Sequence, residues 1–130
     1  GLVTDHAPIV GVGPNSGLPH YAPQPGSDGE IREGELVLID AWAKLNEPDA
    51  VFADYTRMAF VGREIPAKYA EVFAVVAAAR DAGIACVENA FASGEPLEGW
   101  QVDDATRKVI DEAGYGAYFR HRTGHNIGQE

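Results

Sequence analysis

The stretch Leu36-Val37-Leu38-Ile39-Asp40-Ala41-Trp42 constrains this chain most. Four apolar residues, two of them β-branched, run directly into an aspartate. A connection containing Asn46-Glu47-Pro48-Asp49 follows, and then a second β-rich run, Val51-Phe52-Ala53-Asp54-Tyr55-Thr56-Arg57, carries another aspartate. Aspartate is depleted in strands, so each of these needs a reason. For one such residue the ordinary outcome is a strand end facing solvent. Two on neighbouring strands of a hairpin are different, because close carboxylates repel unless protonated or bridged by a cation. The simplest use of Asp40 and Asp54 together is a metal site. Asp49 lies beside Pro48 in the loop, where a solvated Asp is common.

The runs at 36–44 and 51–61 are expected to pair as strands, closed at Gly62-Arg63-Glu64-Ile65. Upstream, 3–12 reads as one strand, clearest at Ile9-Val10-Gly11-Val12. Residues 13–25, dense in Gly, Pro, Asn and Ser, read as loop, and 26–30 as a polar turn. Downstream, Pro66 opens the best helix, since Pro is tolerated in a first helical turn. Tyr69, Val72, Phe73, Val76, Ala77 and Arg80 recur at helical spacing, which carries the helix to about Asn89. Gly83 weakens it locally. A turn-rich link at 90–99 leads to a second helix over 101–113, closed by Gly114 and Gly116. The order predicts an α+β fold, with helices packed on one face of a mostly antiparallel sheet. At 130 residues and 45% hydrophobic, the chain can bury one core.

The formal net charge of −10 argues against nucleic acid or an anionic membrane surface as partner, since both need a basic face. No stretch approaches the roughly 20 apolar residues that span a bilayer. The first residues hold Asp5 and His6 and no basic segment, so no signal peptide is expected. Cys86 is the one cysteine and cannot form an internal disulfide. A cytoplasmic location follows as the expectation, although a periplasmic protein with one free thiol meets the same constraint. Cys86 falls on the apolar helix, where a free thiol packs as a small hydrophobe.

Two further places carry candidate chemistry. His125 lies between Gly124 and Gly128, which let the backbone approach whatever the imidazole touches. Neutral imidazole is a good ligand for first-row divalent metals, and carboxylates complete such a set. A loop His bonded to a carbonyl is the competing outcome. His121 lies four residues earlier, and in a strand both would share a face. The His20-Tyr21 pair sits in the Pro/Gly-rich loop and could line a cleft, whereas composition alone favours an exposed His20.

Taken together, Val-Leu-Ile-Asp40-Ala-Trp-Ala-Lys, Ala-Asp54-Tyr-Thr-Arg, Pro-His20-Tyr21 and His121-Arg-Thr-Gly-His125-Asn-Ile-Gly resemble the metal-binding segments of the pita-bread metallopeptidases of the M24 type. These include Xaa-Pro aminopeptidases, Xaa-Pro dipeptidases and methionine aminopeptidases. The Asp-Ala-Trp-Ala-Lys and His-Tyr-Ala-Pro wording leans toward the Xaa-Pro branch. The resemblance covers essentially the whole chain. It implies that Asp40 is a bidentate ligand of one metal, that Asp54 bridges two, and that His125 binds the second. It matches His20, with Tyr21 beside it, to the catalytic-cleft histidine that contacts the substrate; His121, from its strand spacing to His125, reads as a supporting or substrate-side catalytic residue. It implies two divalent cations, manganese first, with cobalt or zinc as alternatives. Its reaction is cleavage between an N-terminal residue and proline, by a water bridging the two metals.

Two departures accompany the resemblance. The loop between Asp40 and Asp54 is longer than the family usually shows, which a hairpin tolerates at modest entropic cost. Two Glu ligands and a further catalytic His are expected beyond Glu130. The chain therefore reads as an incomplete pita-bread catalytic domain, 1–130, inactive by itself. Family members often carry an N-terminal domain and form homodimers. The alternatives are a pita-bread module that only binds proteins and a creatinase-like hydrolase that works without metal.

Overall fold

The computed structural model describes residues 1–26 and 28–130; the polar turn expected at 26–30 falls in part on Ser27, which lies outside the described residues. The chain divides into two compact units. One comprises 1–65 with 126–130, and the other 66–125.

The first unit is an antiparallel sheet built on the run that opened the sequence reading. Strand β3, Leu36–Leu45, is central. Along one edge it pairs with β4, Ala53–Phe60, from Leu36 opposite Phe60 to Ala43 opposite Ala53. Along its other edge it pairs with two short strands: β2, Ile9–Val12, lies opposite 37–40, and β1, Leu2–Val3, opposite 44–45. Val12, Val37 and Ala59 occupy one row across three strands, and Val12 and Val37 are buried there. The hairpin continues past β3 and β4, where Gly34 N–H donates to Val61 O and Val61 N–H to Glu35 O.

The single strand expected over 3–12 is instead broken. Five residues, 4–8, face only three of β3, Ala41 to Ala43. The surplus loops out because Pro8 offers no N–H to a ladder. Thr4 also turns the chain locally, its hydroxyl donating to His6 O. Strand β4 begins two residues later than expected. Phe52 is drawn out of the ladder: its N–H donates to Gly128 O at 2.9 Å, and its ring stacks on Trp42 with centroids 4.5 Å apart. The loop expected over 13–25 contains one 3-10 turn at Gly13–Gly17, with Pro in its first turn and Ser16 Oγ donating to Gly13 O.

The second unit is a helix pair. Helix α1 spans Ala67–Ser93, four residues past the expected end. Alanine-rich sequence has no reason to stop at Asn89. The helix stops where Gly94 takes φ 71°, with its N–H on Ala90 O. Helix α2 spans Gly99–Glu112. It starts two residues early because Glu98 and Gln101 form a capping box, Gln101 Oε1 accepting from Glu98 N–H. Gly83, read as a weak point, is where the helices meet: a Cβ there would lie 2.7 Å from Thr106 Oγ1. Ala79, Thr106 and Ile110 are buried in this seam, and the Thr106 hydroxyl is satisfied by Val102 O. Tyr115, after α2, bonds Lys68 and Glu71 in the first turns of α1. No helix among the described residues is long and apolar enough to cross a membrane.

The fold class is therefore α+β, with an antiparallel sheet and two helices, as expected from the order of patterns.

Candidate metal centre

Residues two apart on a strand share a face, and directly opposed residues of an antiparallel pair share it too. Asp54 lies opposite Trp42, and Asp40 opposite Thr56. Asp40, Trp42, Asp54 and Thr56 consequently project from one face of the β3–β4 hairpin. It is the face opposite the Val12–Val37 row. Asp40 and Asp54 are diagonal neighbours, a relation that places Cα atoms about 7–8 Å apart and side chains closer.

Asp40 is half-buried and Asp54 exposed. Thr56 Oγ1 donates to Asp40 Oδ1 at 3.1 Å, which orients one carboxylate of the pair. Beside the pair, His6, Trp42 and Phe52 form a parallel stack. The His6 and Trp42 centroids are 6.4 Å apart, and Lys44 Nζ lies 4.9 Å over the Phe52 ring. Lys44 also donates to Gln129 O at 2.6 Å, so residues after His125 are tied down in the first unit through Gly128 and Gln129.

The two carboxylates suit a hard or borderline divalent cation, being anionic oxygen donors on one face with an orienting hydroxyl. They are only a partial set. Among the described residues, no group of three or more His, Cys, Asp or Glu side chains is gathered closely enough to hold a metal ion.

His20 and Tyr21 also belong to the first unit. Tyr21 N–H donates to Leu18 O at 3.1 Å, turning the chain around an exposed His20 and a half-buried Tyr21.

His121 and His125 belong to the second unit. The segment from Phe119 onward is neither helix nor strand, so the shared strand face considered for these two histidines does not form. His125 is exposed. His121 Nδ1 lies 2.8 Å from Arg122 O, and its ring meets Phe119 edge-on at 5.3 Å. Phe119, His121 and Thr123 border an apolar groove of about 420 Å³ along Val76, Ile84 and Val102.

Sequence reasoning missed what holds this segment. Asp103 and Arg107, one turn apart on α2, form an ion pair at 3.1 Å. Asp103 Oδ1 accepts from Thr123 N–H at 2.6 Å and from Thr123 Oγ1 at 2.7 Å. Arg107 donates to Phe119 O at 2.9 Å and to His121 O at 3.0 Å. The Thr123 hydroxyl and N–H, with Arg107 beside them, hold the Asp103 carboxyl below its ordinary pKa. The spacing of Asp103 and Arg107 advertised only a helix-surface pair. Thr56 was easier to find, standing two residues after Asp54 and hence on its face.

Comparisons with known proteins identify the family. Residues 2–130 match the model for metallopeptidase family M24. Over 120 residues the chain is 37% identical to the probable dipeptidase PepE of Mycobacterium tuberculosis, covering 92% of this chain and 29% of the relative. It is 33% identical over 122 residues to the Xaa-Pro dipeptidase of Pyrococcus furiosus, covering 94% and 31%. The crystal structure of dipeptidase PepE from Mycobacterium ulcerans superposes with a TM-score of 0.73 at 29% identity, over 93% of this chain and 29% of that one. The chain thus spans under a third of the length of these relatives. With the family model matched across all but its first residue, and an aspartate pair on one hairpin face, this chain belongs to metallopeptidase family M24.

Proposed function

We propose that this chain is part of the catalytic domain of a metal-dependent peptidase that cleaves between an N-terminal residue and proline, with Xaa-Pro dipeptides as substrates. The observation that carries the reading is the same-face placement of Asp40 and Asp54 with Thr56 bonded to Asp40. The dipeptidase names of the relatives support dipeptides over longer peptides.

In this reading Asp40 would be a ligand of one divalent cation, Asp54 would serve both cations and His125 would serve the second, with the remaining ligands from elsewhere in the protein. When bound, such cations, manganese first, would acidify a water and supply positive charge for an oxyanion. His20 and Tyr21 orient the substrate. His121 donates to or accepts from the scissile group. A homodimer acting in the cytoplasm completes the proposal.

The test is hydrolysis of Xaa-Pro against Xaa-Ala dipeptides by the full-length protein, with and without a chelator. The reading expects Xaa-Pro cleavage that chelation and Asp54→Ala both abolish. Cleavage that survives both overturns it in favour of a creatinase-like, metal-free hydrolase. No cleavage and no metal uptake point to a protein-binding module.

A further inference from the structure

We infer that Asp103 and Arg107 are positioning residues for the metal-side histidines, an inference that rests on the metallopeptidase reading above. A segment outside helix and sheet has no ladder to fix its backbone, so its polar groups must find side chains or water. Between Phe119 and Thr123 two residues on α2 do much of that work, beside Phe119 N–H on Gly116 O and His121 Nδ1 on Arg122 O. Phe119 O and His121 O take two nitrogens of Arg107, and Thr123 N–H takes Asp103 Oδ1. Asp103 Oδ2 accepts from Nε and a terminal nitrogen of Arg107, so the carboxylate and guanidinium hold each other as well as the chain. The guanidinium also lies 4.4 Å over the Phe119 ring. The side chains of Arg107 and Asp103 are 32% and 26% exposed, sheltered enough to hold one geometry.

The clamp grips every second residue of the segment. It holds His121 by its own carbonyl and ends two residues before His125. A ligand side chain works only within about 0.5 Å of its productive position, and it depends on its supporting groups for that precision. The Asp103–Arg107 pair therefore fixes the departure of the chain toward the His125 imidazole. It touches neither substrate nor metal and acts only through the backbone it holds.

The experiment uses the full-length protein, stripped of metal and titrated with Co²⁺, read by visible absorption and by the thermal midpoint of the metal-free form. Asp103→Ala should weaken Co²⁺ uptake about tenfold, the lower end for losing a support of a metal ligand. Its spectrum should move toward that of His125→Ala. Asp103→Asn, which keeps an acceptor for Thr123, should recover most of the affinity. Arg107→Met, which keeps the stem over Phe119 and loses the donors, should resemble Asp103→Ala. If Asp103→Ala fails to fold, these last two variants carry the test. Ile110→Val, buried in the same helix pair but outside the clamp, should lower the midpoint and leave Co²⁺ affinity unchanged. The inference is overturned if the clamp variants lower the midpoint as Ile110→Val does while affinity and spectrum stay wild-type. If the wild-type protein takes up no Co²⁺, the metallopeptidase reading itself falls, and the inference with it.

Discussion

Replacing Thr56 by valine separates the stability of the hairpin from the competence of its aspartates. Valine keeps the shape and the strand preference of threonine and removes only the hydroxyl. That hydroxyl donates to Asp40 Oδ1 at 3.1 Å from an exposed position. A hydrogen bond to a charged group contributes about 1.5–3 kcal/mol when sheltered. Here water can replace it, and valine's strand preference offsets part of the rest, so folding stability should change by less than about 0.5 kcal/mol. Metal affinity responds to the lost orientation. Without the donor, the Asp40 carboxylate is no longer held in one geometry, and removing such supports typically costs about 10–100-fold in affinity. The loss should fall at the low end because the site is open. The expectation is about tenfold weaker binding, or about 1.4 kcal/mol. Competition of the full-length protein with a chromophoric chelator for Mn²⁺, alongside urea unfolding of the metal-free form, measures both quantities. Affinity within twofold of wild type would refute the reasoning, as would a loss of affinity matched by a loss of stability.

Two other predictions concern the helix pair. Gly83→Ala sets a Cβ 2.7 Å from Thr106 Oγ1, and overpacking of about 1–3 kcal/mol should outweigh the roughly 1 kcal/mol gained in helix propensity. Amide exchange across α1 and α2 should therefore quicken. In a Thr106→Ala background, where the next contact is Val102 Cγ1 at 3.6 Å, the same change should slow exchange; equal effects in both backgrounds would refute the close approach. The lowered pKa of Asp103 makes docking of 119–123 pH-dependent. A depressed carboxylate contributes stability that is fully present above its unfolded value, near 3.8, and lost as pH falls through the folded value. Protection of the Thr123 amide should hold from neutral pH down to about that point and fail below it. Asp103→Asn should flatten the profile.

What the sequence made legible follows from which signals are local. The hairpin declared itself because Leu36–Ile39 and Val51–Thr56 carry strand composition around a Pro-containing loop. The register then put Asp40 and Asp54 on one face. Helix α2 declared itself through Val102, Val109 and Ile110. The break at 4–8 hung on Pro8 and on a hydroxyl of Thr4, weaker signals than the β-branched residues on either side. The end of α1 was set by one glycine, Gly94, rather than by any fading of helical pattern. The least legible feature was the clamp. Asp103 and Arg107 satisfy the i,i+4 rule for an ordinary surface pair, and their real partners lie 12 to 20 positions away. Nothing local in Phe119–Thr123 names a helix residue as its anchor. The histidines stood out by type and glycine context, whereas the bonds that hold Phe119, His121 and Thr123 appeared only with the fold.

The most direct test of the central claim is anomalous diffraction from crystals of the full-length protein grown with Mn²⁺. The account predicts strong anomalous peaks within coordination distance of the Asp40 and Asp54 carboxylates, with Asp54 shared between two of them. A well-occupied crystal with no anomalous peak at that face of the hairpin would contradict it.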